Sequence, residues 1–157
     1  MTFTGIPDPT DFAALPSEAT EKWGTFPGHM GGANFAQLVG LQLEEVRADY
    51  ARMRVPWRPE IRQPAGMMHG GALATLVDTV VVPAIACAYE QVPVMLTLNL
   101  SLSYLGGILG SDAIAHGWVT RRGRSIVFCE AVVADESGNL AVRGTLTYKV
   151  STPRPTN

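Results

Sequence analysis

The run Gly71-Ala72-Leu73-Ala74-Thr75-Leu76-Val77-Asp78-Thr79-Val80-Val81-Val82-Pro83-Ala84-Ile85-Ala86-Cys87-Ala88-Tyr89 decides how this chain must fold. Leu73, Leu76, Val77, Val80, Ala84 and Ala88 recur at helical spacing, and Val81, Val82 and Ile85 fill the other side. A helix that is apolar all round has to be buried all round. Pro83 removes one backbone donor and crowds the preceding turn, which predicts a kink near Thr79–Pro83. Beyond Val92 the period changes to two. Leu96, Leu98, Leu100, Leu102 and Tyr104 alternate with Thr97, Asn99, Ser101 and Ser103, a strand whose leucine face is expected to meet the helix.

Working outward, Asn34–Val39 reads as a short helix ending at Gly40. Leu41–Arg47 and Tyr50–Trp57 read as strands joined through Ala48-Asp49, and Arg58–Ala65 as a loop. Ala113–Thr120, Ser125–Ala134 and Asn139–Val150 follow as strands, with Gly123 and Ser137-Gly138 at the turns. One long helix with six strands predicts an α+β domain, a six-stranded antiparallel sheet curled around one central helix. The last four strands are expected to form a meander. Residues 1–28 form an N-terminal arm, partly helical around Ser17–Trp23 or irregular; 29–151 form the domain; 152–157 are expected to be a flexible tail.

The 157 residues suffice for one domain with a real core. Only 17% are charged, against about 25% in an average globular domain. With 46% apolar residues this excludes a disordered chain, and a net charge of −2 argues against a broad nucleic-acid-binding face. So few charges cover a monomer's surface poorly, which predicts burial in an oligomer. Two unrelated cysteines, Cys87 and Cys129, fit a reduced, cytoplasmic setting. The N-terminus lacks the pattern of a signal peptide. The uncharged run Gln91–Ser111 is too polar for a bilayer helix, so no membrane partner is expected.

Chemistry begins at Met67-Met68-His69-Gly70-Gly71. The first N–H groups of a helix have no partner inside it, and the dipole there favours negative charge. A glycine pair would let a substrate oxygen approach Gly70 and Gly71 closely, or it simply makes the turn into the helix. Asp78 is the only charge between Arg62 and Glu90. A buried carboxylate is costly alone, so it must be partnered, protonated or facing a cavity. The structural alternative is a bond to Thr75 or Thr79. Gly70 and Asp78 are eight residues apart, or about 12 Å along one helix. Reacting groups must lie within about 3.5 Å, so a shared site for both requires two antiparallel copies of the helix, hence at least a dimer.

Other chemistries are excluded. There is no G-x-S-x-G elbow, Walker loop or dinucleotide fingerprint. His29, His69 and His116 lack metal-ligand spacing, so neither metal nor cofactor is expected. Cys87 faces away from Asp78 and reads as a small core residue. Arg121-Arg122-Gly123-Arg124-Ser125 is either a phosphate clamp or a solvated turn.

Together, His69-Gly70-Gly71, Asp78, the strand Thr97–Leu105, Gly123-Arg124-Ser125 and Gly138-Asn139-Leu140 resemble the hot-dog-fold acyl-CoA thioesterases, especially the phenylacetate-degradation (PaaI-type) group. The resemblance spans roughly residues 35–150. It implies a hot-dog fold, sheets paired edge to edge in a homodimer, sometimes a dimer of dimers, and an active site at the interface. It implies Asp78 as base or nucleophile, and the Gly70 N–H, helped by Gly71, as oxyanion donor. His69 would order the loop, Gln63 hold the carbonyl or the water, and Thr97 place the water or the acid. Val82 would line the acyl pocket, and Arg122, Arg124 and Ser125 would meet CoA. The tyrosine strand departs from the pattern, since Leu105 precedes Gly106-Gly107 where a basic contact is usual. The expected function is hydrolysis of an aryl- or fatty acyl-CoA to acid and CoA. The alternative is a non-catalytic acyl-CoA-binding or sensing protein.

Overall fold

A computed structural model describes residues 5–28 and 34–151. The predicted apolar helix is α3, Gly70–Ala86; Leu76, Val77, Val80, Val81, Ala84 and Ile85 on it have no accessible surface, but Ala74, Thr75, Asp78, Thr79 and Val82 form a half-buried stripe, so it is enclosed on the sheet side rather than all round. It touches all six strands: β1 (Gln42–Arg47), β2 (Tyr50–Val55), β3 (Val94–Tyr104), β4 (Ala113–Arg122), β5 (Ile126–Asp135) and β6 (Leu140–Ser151). Each Val, Leu or Ile buried there contributes about 1.5–3 kcal/mol. The strands form one antiparallel sheet in the order β1-β2-β4-β5-β6-β3. This is the α+β hot-dog architecture that the sequence predicts.

Gly117 and Gly144 mark where sheet and helix come closest. A β-carbon on Gly117 would lie 2.6 Å from Val80 Cγ1, and one on Gly144 2.8 Å from Val77 Cγ1. α3 passes through Pro83 as one helix and ends at Ala86, three residues before the predicted Tyr89. The Cys87 N–H closes it on the Pro83 carbonyl at 3.0 Å. Tyr89 turns away instead, and the Arg122 guanidinium carbon stands 5.5 Å from its ring centre.

Two expectations are corrected. The last four strands are not a meander: β3 crosses to the far edge beside β6, and β4 pairs with β2. Alternation tells which face a strand buries, not which neighbour it finds. Nor does the whole leucine face meet the helix, because the β3–β6 register shifts between Thr97 and Asn99. The bulge swaps the faces. Leu100 and Leu102 pack on the core, while Leu96 and Leu98 are 57% and 55% exposed. Met95 is also on the core side, and Thr97 turns to α3 with it.

The N-terminal arm is part of the core. Its helix α1 (Ser17–Trp23) and the turn after it bury Trp23 and Phe26. Ala14 bridges to Arg47 at the β1 edge, and Phe12 stacks on Tyr50 with ring centres 5.1 Å apart. Helix α2 (Phe35–Val39) starts from a capping box between Asn34 and Gln37 and stops at Gly40, φ +86°, with the Arg58 guanidinium on the Leu38 carbonyl. The sequence readings for His29 and 152–157 lie outside the described residues.

Two outcomes follow from this packing. Gly117→Ala is expected to cost about 1–3 kcal/mol in chemical denaturation, because Val80 and Val81 cannot retreat from a closed core. On the sheet face away from α3, the Tyr50 hydroxyl lies 2.8 Å from His116 Nδ1. Burial first, and then the Arg52 charge, hold His116 below the usual histidine range. The unfolded chain therefore binds the proton more readily. This contribution to stability is complete above about pH 6.5 and is lost on acidification towards the native value. Urea denaturation at about pH 7.5 and 5.5 should show that slope, and His116→Gln should flatten it.

Candidate active site

The site is built at two points along α3. At its start, His69 is the N-cap, and its Nδ1 accepts from the Gly71 N–H at 2.8 Å. A β-carbon on Gly71 would stand 2.9 Å from that same nitrogen, so the cap itself requires glycine there. The Gly71 N–H is thus occupied and does not add to the expected oxyanion pair. The Gly70 N–H has no acceptor among the described residues. The Gly70 carbonyl accepts from the Tyr104 hydroxyl at 2.8 Å, and a β-carbon on Gly70 would meet the Tyr104 ring at 3.2 Å. The glycine pair therefore serves both readings, since it fits the cap and the tyrosine while leaving one amide open.

That amide borders a cleft of about 390 Å³, whose lining includes Gln63, Met67, Leu73, Tyr104 and Gly107. Gln63 Oε1 accepts from the Ala65 N–H at 2.6 Å and shapes the loop, while its Nε2 makes no hydrogen bond among the described residues.

Two turns further on is Asp78, half-buried. Neither of the neighbouring threonines weighed for it is its partner: Thr75 Oγ1 donates to the Gly71 carbonyl at 2.8 Å. The donors come from the sheet. Thr97 Oγ1 donates to Asp78 Oδ1 at 3.0 Å, and the Tyr148 hydroxyl reaches Oδ1 and the Asp78 carbonyl, each at 2.6 Å. Thr97 and Tyr148 are cross-strand partners on β3 and β6, one step before the bulge. Burial, and next the bond to Asp78, push the Tyr148 hydroxyl well above the ordinary tyrosine range, so it stays a donor. Sequence reasoning missed Tyr148. Its signal was a phenol on the apolar face of β6, beside Leu146 and Val150, where a hydroxyl needs a partner.

Asp78 opens onto a second depression of about 280 Å³, walled by Phe35 and Ala36 of α2, Ala74, Thr75 and Thr79 of α3, and Leu100. The contribution of α2 was also not foreseen. Val82, half-buried, lies one turn beyond Asp78 on the same helix face. Gly70 and Asp78 open into separate clefts, as their spacing along α3 requires.

The basic hairpin divides. Arg122 forms an ion pair with Asp49 and a hydrogen bond to the Tyr89 hydroxyl at 3.3 Å, so it ties the β1–β2 turn to the end of α3. Arg124 and Ser125 are exposed. Burial pushes the Cys87 thiol up, which fits a core residue better than a nucleophile. No group of three metal-ligating side chains exists among the described residues. No described helix is long and apolar enough to cross a membrane.

One antiparallel sheet wrapped on one long helix defines a hot-dog fold. Residues 65–142 match the model of the thioesterase superfamily. A candidate esterase of Deinococcus radiodurans is 30% identical over 141 residues, which cover 85% of this chain and 84% of that protein. The chain belongs to the thioesterase superfamily. Among solved structures, a thioesterase from Haemophilus influenzae is 18% identical and superposes with a TM-score of 0.76 over 90% of this chain and 94% of that one. The PaaI protein from the phenylacetic acid degradation operon of E. coli is 13% identical, with a TM-score of 0.75 over 86% and 95%. At these identities the structures share the fold.

Replacing His69 by Ala is expected to lower stability by about 0.5–2 kcal/mol through loss of the cap, measured by urea denaturation.

Proposed function

We propose that this protein hydrolyses the thioester bond of an acyl-CoA, aryl or fatty, to free acid and CoA. The observation that carries the reading is Asp78, a carboxylate oriented by two hydroxyl donors at the centre of an otherwise apolar helix that begins with an open amide. The chemistry asks for little more. A thiolate leaves without a strong general acid, because a thiol ionises near pH 8.5. Asp78 takes the proton of a water as its oxygen bonds to the carbonyl carbon. The Gly70 N–H stabilises the developing oxyanion. The C–S bond breaks, and the proton passes on to the sulfur.

The site is shared by two subunits. One chain separates Gly70 from Asp78 by about 12 Å, and antiparallel helices across a two-fold axis bring one subunit's Gly70 to the other's Asp78. β3 supports this pairing. It is an edge strand of 11 residues with no charged side chain, and Val94, Leu96 and Leu98 are at least half exposed. Natural edges of that kind are charged, short or covered. Arg124 and Ser125 are the groups free to meet the phosphates of CoA, with Gln63 facing the thioester carbonyl and Thr97 placing the acid.

A thiol-release assay over aryl-CoA and straight-chain acyl-CoA substrates tests the reading. Asp78→Asn is expected to lose at least about 100-fold in kcat with the fold retained. Wild-type turnover in that variant, or acyl-CoA binding without turnover in the unmutated protein, overturns it. Sedimentation should give at least twice the 16.8 kDa of one chain, and a monomer that is fully active rules out the shared site.

A further inference from the structure

The two side-chain donors to Asp78 converge on one oxygen. Thr97 Oγ1 and the Tyr148 hydroxyl both donate to Oδ1, at 3.0 and 2.6 Å, and among the described residues Oδ2 receives no hydrogen bond. The same hydroxyl also lies 2.6 Å from the Asp78 main-chain carbonyl, so Tyr148 grips the residue by side chain and backbone together. Tyr148 is itself immobilised. It is 3% exposed, sits on the helix-facing side of β6 between Leu146 and Val150, and lies opposite Thr97 across the β3–β6 ladder.

We propose that Tyr148 is a positioning residue for the hydrolysis, fixing Asp78 so that Oδ1 is held by the protein and Oδ2 alone is presented to the reacting water. This rests on the reading of Asp78 as the catalytic carboxylate and adds to it which oxygen reacts and what selects it. The physical reason is specific. A carboxylate without such anchors samples several χ2 angles, and each reaction would then have to fix that torsion anew. Two donors on one oxygen make that choice during folding.

The ionisable surroundings are simple. From β6 the carboxylate faces only Tyr148, and beyond it on β5 lies Cys129; burial raises both, the thiol to about 12. α3 itself brings no other charge, and α2 faces the pocket with Phe35 and Ala36.

Wild type, Asp78→Asn and Tyr148→Phe are compared with benzoyl-CoA and hexanoyl-CoA, measuring thiol release from about pH 5 to pH 9. Tyr148→Phe is expected to lower kcat about 10- to 100-fold, the equivalent of one hydrogen bond to a charged group. KM should change by less than about threefold, because Tyr148 orients Asp78 and does not touch the substrate. An unchanged kcat, or a KM that rises as much as kcat falls, overturns the proposal while leaving the role of Asp78 intact. Activity surviving in Asp78→Asn overturns the underlying reading instead. Thr97→Val removes the other donor from the same oxygen and serves if Tyr148→Phe does not fold. It must likewise lower kcat with KM changed by less than about threefold, and an unchanged kcat overturns the proposal.

Discussion

Burial of one long helix against a curved sheet is the constraint from which the rest follows. α3 buries Leu73, Leu76, Val77, Val80, Val81 and Ile85 and is contacted by all six strands, while the stripe of Ala74, Thr75, Asp78, Thr79 and Val82 stays half-buried on its other side. The helix–sheet spacing is set by glycines where the two meet, Gly117 against Val80 and Gly144 against Val77. Into this enclosure the sequence places one charge, Asp78. A carboxylate there is tolerable only with donors, and the sheet supplies them from two adjacent strands. The requirement that makes the fold stable thus also orients the candidate catalytic group.

The charged residues are distributed to match. Arg54 bonds Glu44, Asp112 and Glu136, and Arg47 bonds Glu45, all around the β1–β2–β4 end of the sheet. At the other end β3 has none. The low charge content of the chain is therefore not spread evenly. It leaves one edge uncharged beside the site, where the proposed second subunit would pair. Exposed pairs of this kind contribute little stability, so their effect lies more in discouraging pairing at the β1 edge.

Much of this was legible because hydrophobic period is a local property. The helix, the strands and the odd position of Asp78 could be read from Gly71–Tyr89 and Leu96–Tyr104 directly. Asn34 and Gly40 announced α2 through its caps. Less visible was whatever depends on residues far apart. Leu98 looks like any other leucine in the alternation, yet the bulge beside it turns Leu96 and Leu98 outward and Thr97 inward. Tyr148 lies 70 positions from Asp78, and nothing near either residue names the other. Arg122 reads as part of a phosphate clamp or of a solvated turn, and its contacts with Asp49 and Tyr89 are visible only in the fold.

By itself, then, the sequence determined that a largely apolar helix must pack against a sheet, that its lone carboxylate must be partnered, protonated or facing a cavity, and that Gly70 and Asp78 stand too far apart on one helix for one site. These follow from periodicity, solvation and the rise per residue, which need no tertiary information. The tertiary structure alone decided that β3 lies at the edge beside β6, that a bulge aims Thr97 at the helix, and that Tyr148 holds Asp78. It also decided that His69 takes the Gly71 amide and leaves that of Gly70 open. Each of these depends on strand pairing or side-chain direction, and both are settled only when distant segments compete for the same space around α3.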